Sequence, residues 1–469
     1  MSNRAVLETP AKNDRKEIFG WLMYDWANSA FYTTVISVLL GPYLTALAQA
    51  DVGQEGVIFS LGWLGVIKAE TLFPFAIGIS VVAQVVFLPL LGSIADYTHL
   101  KKKMMAVFCY LGVLSSSLLF FITGDNYLLG YVLMIVANMS FAASNVFYNA
   151  FLIDLTTEDQ RNKISSYGFA AGYLGGIIML AFNIGLIQYA DTLGLEKAMA
   201  VRISMLAASL WWGAFGLVTF LMVRSRNAAK QIPDGKKILV IGFSELWETI
   251  KELFRLKYTA LFLLAYLFYN DGIQTVILMS STFLSQELFV RNGLETDEAF
   301  LLGIFMLAQF TALVGAIVFE RIARLIGAKW TVVISLAIWC GIVFFAYAYL
   351  DTRAQAWAMG AFIGLVLGSS QALSRSLYSQ MIPKERESGF FGLYEISEKG
   401  TSWLGVLVFG LVVTYTGSYR QAILGIIFFF AVGIVLLVVT NTARAIHEAG
   451  NLTPEEAAGE PGAVEFQDA

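Results

Sequence analysis

Eight stretches of this chain run for twenty residues or more without a single Asp, Glu, Lys or Arg: 71–95, 104–124, 126–153, 164–190, 204–223, 299–319, 330–350 and 422–442. A helix needs about 20 apolar residues to cross the hydrocarbon core of a bilayer, so each is long enough to span one. Four more stretches, 18–48, 258–285, 354–382 and 388–415, are as long and mostly apolar but carry charge. The sequence therefore predicts an all-α membrane protein with twelve transmembrane helices in two pseudo-symmetric six-helix bundles. Composition excludes the soluble alternative, because 57% hydrophobic residues, 14% charged ones and a mean hydropathy of +0.68 do not describe a soluble chain of 469 residues.

An even number of crossings puts both termini on one side. Of the 31 Lys and Arg residues, 23 fall at the termini and in the alternate loops that share that side, 6 fall in the opposite loops, and 2 lie within spans. The positive-inside rule then makes the termini cytoplasmic. The expected location is a bacterial-type inner membrane, or a vacuolar membrane in a fungus. The first sixteen residues are polar and lead into a span too long for a signal core, so no cleaved signal peptide is expected. Cys109 and Cys340 both lie within spans and suggest no disulfide framework. A net charge of -4 implies no nucleic-acid partner.

The longest polar stretch divides the chain. The expected organisation is a cytoplasmic tail (1–17), a first bundle (18–224), a linker (225–257), a second bundle (258–442) and an acidic, disordered tail (443–469). The linker carries Arg224, Arg226, Lys230, Lys236 and Lys237. Within it Leu246, Trp247, Ile250, Leu253 and Phe254 recur at helical spacing opposite Glu245, Glu248, Lys251 and Glu252. That pattern fits either a helix lying on the cytoplasmic membrane surface or one packed on the bundle. Related signals recur between the halves: Asp96 answers Glu320 and Arg161 answers Arg386, with Asp25 matched loosely by Asp271. Such a repeat is one common transporter architecture.

The charges inside the spans are the candidate functional residues, because an ionisable group costs about 2.5 kcal/mol or more at the bilayer centre and by default marks a transport path. They are Asp25 in the first span, Asp271 in the seventh, Arg375 in the tenth, and Glu395, Glu398 and Lys399 in the eleventh. At 1.5 Å per residue, Asp25 lies about 10 Å along its helix and Asp271 about 20 Å along its own. Each aspartate is a candidate for proton coupling or for binding an amine, or else only bonds a neighbouring helix. Arg375 keeps its proton and needs an anion, with Glu395 and Glu398 the expected partners and Glu395 and Lys399 an i, i+4 pair. This network is either a cytoplasmic gate that exchanges partners, with Asp96 beside it, or a clamp in which Arg375 or Lys399 holds a substrate carboxylate. Gly168, Gly172 and Gly176 recur at intervals of four on one face of the fifth span and predict close helix packing.

Gly92, Asp96 and the basic cluster Lys101, Lys102 and Lys103 resemble the signature between the second and third helices of the major facilitator superfamily, although Tyr97 and His99 stand where an arginine and a glycine are commonest. The segments YDWANSAF (24–31), NVFYNAFLIDL (145–155), YNDGIQT (269–275), QALSRSLYSQMIP (371–383) and FFGLYEISEK (390–399) resemble its vacuolar effluxer branch, the fungal autophagy-related amino-acid exporters and their bacterial relatives. The resemblance implies that the first, fourth, seventh and tenth helices line a central cavity. Three of those four carry the charges already named, and the fourth has Asn138, Ser140, Ser144, Asn145 and Asn149. The candidate substrate-binding or coupling set is Asp25, Asn28, Ser29, Asn145, Tyr148, Asn149, Asp271, Gln274 and Gln371. The candidate gating set is Asp96, Arg375, Glu395, Glu398 and Lys399.

The expected function is secondary active transport of small organic solutes by alternating access, with amino acids or related zwitterions favoured. A lipid or lysolipid translocase and a non-transporting membrane sensor are the alternatives. An enzyme is not expected, since His99, His447 and the two cysteines are isolated. No Gly-x-x-x-x-Gly-Lys-Ser/Thr phosphate loop occurs, so no ATP drive is expected. No cofactor or metal is expected; a proton gradient is the expected driving force, with sodium left open. The expected partners are a small-molecule substrate and the lipid bilayer, with the chain a monomer.

Overall fold

The computed structural model describes residues 11–53, 56–60, 66–69, 72–96, 100–225, 238–294, 297–384, 386–399 and 402–459. Arg226, Lys230, Lys236, Lys237, Tyr97, His99 and the side chain of Lys399 lie outside the described residues. Among the described residues, eleven helices are long and apolar enough to cross a membrane. In the order of the predicted spans they are the first (Arg15–Val52), second (Phe75–Asp96), third (Lys101–Phe121), fourth (Gly124–Leu155), fifth (Arg161–Gln188) and sixth (Lys197–Met222). The seventh (Lys257–Asn292), eighth (Gly303–Ile326), ninth (Ala328–Ala348), tenth (Arg353–Gln380) and twelfth (Tyr419–Val439) follow. Over the predicted eleventh span the described residues form the helices Glu387–Lys399 and Ser402–Thr416, with Leu404–Val413 as the apolar stretch, and residues 400–401 lie outside the described residues.

Local chemistry shapes the helices that matter. The first span widens to a π-helix over Tyr32–Leu39. Pro42 follows closely, lacks an amide proton and crowds the carbonyl four residues earlier, which the wider turn accommodates. The fourth, seventh and tenth spans bury 61% of their most apolar stretch, against 33–44% for the other eight, which places these three at the centre. The first span packs on the fifth and sixth, and the tenth on the eighth and ninth. The two halves meet where the second span packs on the eleventh, the fifth on the eighth and tenth, and the fourth on the eleventh and tenth.

The linker helix Ile238–Arg255 docks by its acidic side. Glu245 and Glu252 reach Arg386 at 3.5 and 2.8 Å, Thr249 is buried, and Phe243, Trp247 and Phe254 are exposed. It is therefore packed on the bundle and still turns apolar side chains outward. Helices at Thr442–Glu448 and Pro454–Gly459 replace the predicted disorder as far as residue 459. Between them Asn451 Nδ2 donates to the Gln380 and Ile382 carbonyls, each at 2.8 Å, which ties this segment to the end of the tenth span.

Candidate functional site

Arg375 lies near the C-terminal end of the tenth span, in a run of small residues (Ser374, Ser376) that lets its side chain cross to the other half. There it is fully enclosed. Its Nε donates to Ser165 Oγ at 2.9 Å and its Nη2 to the Ser165 carbonyl at 2.8 Å, both on the fifth span. Its Nη1 donates to Asp25 Oδ2 at 3.2 Å and to Asn149 Oδ1 at 3.4 Å. The guanidinium also lies 4.2 Å from the Phe169 ring, 5.1 Å from Trp21 and 5.5 Å from Tyr148, the distances at which a desolvated cation gains from aromatic faces.

Asp25 is correspondingly buried on the first span. Its Oδ2 accepts from the Tyr148 hydroxyl at 2.6 Å as well as from Arg375. Tyr148 stacks on Trp21 at 4.4 Å, and Trp21 Nε1 donates to the Tyr148 carbonyl at 2.9 Å, so the phenol is fixed in place. Gly168 makes the arrangement possible. A Cβ there would stand 2.6 Å from Asp25 Oδ2 and 2.9 Å from Arg375 Nη2. The glycine row of the fifth span thus packs closely against the first span, as expected from its spacing.

The partner of Arg375 is therefore Asp25 and not, as expected, Glu395 or Glu398. Asn149 stands between, accepting from Arg375 and donating through Nδ2 to Glu395 Oε1 at 2.8 Å. One chain of bonds so links the first, fourth, fifth, tenth and eleventh spans. One helical turn further from the termini lies a second polar layer. Asn28 Nδ2 donates to Asn145 Oδ1 at 2.9 Å, Ser29 Oγ reaches Asn28 Oδ1 at 3.5 Å, and the Tyr173 hydroxyl donates to Gln371 Oε1 at 2.9 Å. Ser29, Asn145, Tyr173 and Gln371 are only half-buried, as is Gln274.

Asp271 is elsewhere. Its Oδ2 accepts from the Gly405 amide at 2.9 Å in the second piece of the eleventh span, and the neighbouring Asn270 Nδ2 donates to the Glu398 carbonyl at 2.8 Å in the first. Among the described residues its carboxylate makes no bond to Arg375, Asp25 or Asn149.

A latch closes the face that carries the termini. Asp96 Oδ1 and Oδ2 accept from the Ser388 and Gly389 amides at 3.1 and 3.0 Å, so a carboxylate of the second span caps the positive N-terminus of the eleventh. Arg161 Nη1 donates to the Ser379 carbonyl at 3.3 Å, and Glu158 takes Arg161 at 3.3 Å and Lys384 at 3.0 Å. Lys101 pairs with Asp154 at 3.1 Å and steadies the same corner. Burial alone would raise the Glu158 carboxyl, but Arg161 and Lys384 hold it below its ordinary range. Burial pushes Lys12, which donates to the Ile153 and Thr156 carbonyls, down to about 8, with Arg161 adding to the shift. Tyr173 stands twelve residues into the fifth helix, about 18 Å from its start. The named bonds between the halves thus run from the terminus face to about mid-membrane.

Sequence reasoning missed Ser165, Phe169, Trp21, Tyr173 and Asn270. Ser165 and Phe169 flank Gly168, and Trp21 precedes Asp25 by one turn, so a glycine read as a place of close approach would have marked its neighbours as candidates.

The model of the family described as "Vacuole effluxer Atg22 like" matches residues 13–450. An uncharacterized MFS-type transporter, YxiO of Bacillus subtilis, is 32% identical over 428 residues, covering 91% of this chain and 95% of the relative. Autophagy-related protein 22 of Kluyveromyces lactis is 24% identical over 506 residues, covering 97% and 100%. Among solved structures, the human organic anion transporter MFSD10 superposes with a TM-score of 0.65 at 13% identity, covering 91% of this chain and all 100% of that one. At that identity it speaks for the fold alone.

Proposed function

The chain belongs to the vacuole effluxer Atg22-like family of major facilitator membrane transporters, and from that premise we propose that it is a secondary active transporter of small organic solutes, with amino acids or related zwitterions as its substrate class. The observation that carries the reading is a buried Arg375–Asp25 pair joining the two halves at membrane depth, with a half-buried amide and hydroxyl layer directly above it. A zwitterion carries the same two charges as the pair. Its carboxylate competes with Asp25 for Arg375, and its ammonium competes with Arg375 for Asp25. Breaking a buried pair without replacement costs about 3–5 kcal/mol. A ligand that replaces both partners removes that cost and frees the halves to move, as alternating access requires.

With both termini cytoplasmic, as the Lys and Arg distribution favours, the latch closes the cytoplasmic side and the polar layer faces the opposite one. The Asp96 cap on the eleventh span and the Glu158–Lys384 pair then have to break for the inward-open state to form. A proton gradient is the driving force this reading favours. The test is uptake of radiolabelled amino acids into proteoliposomes carrying the full chain, with and without an imposed pH gradient. Saturable uptake that is lost in Arg375→Met supports the proposal; no uptake of any amino acid by the native chain removes the substrate class.

A further inference from the structure

Asp271 is 1% exposed and sits deep in the seventh span. Its Oδ2 has the Gly405 amide, its Oδ1 is buried with no hydrogen-bond partner, and among the described residues no cationic side chain acts on it. The twelfth span brings Phe429 and Phe430 against Gly272, and the tenth brings Ser374, bonded to the Tyr269 hydroxyl at 2.6 Å, with the adjacent Arg375 committed to Asp25. The eleventh brings Tyr394, stacked on Tyr266 at 4.4 Å, and the Glu398 carbonyl, with the Glu398 carboxyl acting on Tyr266; the side chain of Lys399 on that span lies outside the described residues. The described titratable groups around this turn of the seventh span are thus three tyrosines, with the Glu398 carboxyl beyond Tyr266.

An ionised carboxylate buried without a counter-charge is costly enough that it either becomes neutral or holds a cation. A metal ion needs a shell of several oxygens. The unpartnered buried oxygens here are Asp271 Oδ1, Asn270 Oδ1 and the Tyr266 hydroxyl, whereas a proton needs only one. The same two residues also reach both described parts of the eleventh span. Asn270 donates to the Glu398 carbonyl in Glu387–Lys399, and Asp271 accepts from the Gly405 amide in Ser402–Thr416.

We propose that Asp271 is a proton-binding site whose charge state sets the hold of the seventh span on the Ser402–Thr416 part of the eleventh. A proton taken from water adds to Oδ1 and turns the carboxylate into a neutral acid. Oδ2 then becomes a weaker acceptor for the Gly405 amide. Release of the proton restores that bond. The inference rests on the transporter reading only for what the switch drives.

The test is infrared titration of the full chain reconstituted in phosphatidylethanolamine–phosphatidylglycerol vesicles, which needs no solute. A protonated-carboxyl band that fades as pH rises, is absent from Asp271→Asn and returns at a shifted frequency in Asp271→Glu is the expected result. An unchanged band in Asp271→Asn overturns the proposal. So does loss of the native band when sodium replaces potassium at fixed pH, which would make the site a sodium site. If Asp271→Asn fails to fold, the frequency shift in Asp271→Glu decides alone: a shifted band supports the site and an unshifted one refutes it. Failure of amino-acid uptake by the native chain would leave this titration intact, so the two readings fail separately.

Discussion

Asp25 and Asp271 are acidic residues buried at membrane depth in the opening helix of each half, and their surroundings are opposite. Asp25 has an arginine from the other half, a tyrosine hydroxyl fixed by stacking, and a glycine opposite that leaves room for both. Asp271 has one backbone amide from its own half, tyrosines, and phenylalanines behind. The same residue type therefore bridges two bodies as one half of an ion pair in one place and, among the described residues, has no counter-ion in the other. The difference lies in what the facing helix offers, which no property of the aspartate itself determines.

The largest way to break this contrast is Arg375→Met. It leaves Asp25 buried without its cation and should cost about 3–5 kcal/mol of stability, seen as a large fall in the thermal unfolding midpoint and loss of solute flux. Retention of the native midpoint would mean that Asp25 is not held as an anion by Arg375. Gly168→Ala comes next. Its methyl group would press on both charged side chains, at an expected cost of about 1–3 kcal/mol, whereas Gly185→Ala on the same helix meets open space and should be near neutral. Equal effects at the two glycines would contradict a close approach at Gly168.

Asp96→Asn keeps an acceptor for only one of the Ser388 and Gly389 amides, turns an NH2 toward the other and removes the charge facing the helix N-terminus, for an expected loss of about 1–3 kcal/mol. The measurement is labelling of a cysteine introduced at Ser388, which should speed up as the latch loosens. The Glu158–Lys384 pair adds a pH dependence of known sign. A carboxyl held below its ordinary range in the folded chain contributes stability above the unfolded value of about 4.3. That contribution fades as the pH falls through the lower folded value, so labelling at the terminus face, taken relative to a free thiol at the same pH, should accelerate on acidification and do so less in Lys384→Met. The smallest effect on stability is expected for Asp271→Asn, within about 1 kcal/mol, because the amide still accepts from Gly405 and no cation loses a partner. A loss as large as that of Arg375→Met would mean that Asp271 has a counter-charge after all.

The crossings were legible because a charge-free run of this length admits few other structures, and the buried charges were legible as exceptions to it. Partner choice was not. Glu395 and Glu398 lie close to Arg375 in sequence, but pairing depends on how the tenth helix is rotated against the fifth. That rotation is set by Ser165 and Gly168, some two hundred residues away. The eleventh span reads as one crossing because its apolar content is sufficient on average, although Glu395, Glu398 and Lys399 gather its charge in one place. The linker helix showed its two faces clearly. Which one it would dock by depended on Arg386, a residue beyond the reach of helical periodicity.

The most direct measurement is a double-mutant cycle between Asp25→Asn and Arg375→Met, read by thermal unfolding of the purified chain. A buried pair that joins the halves predicts two destabilised single variants and a double variant that recovers much of the loss, with a coupling of about 3 kcal/mol, the upper end for residues in contact. Losses that simply add in the double variant would contradict it.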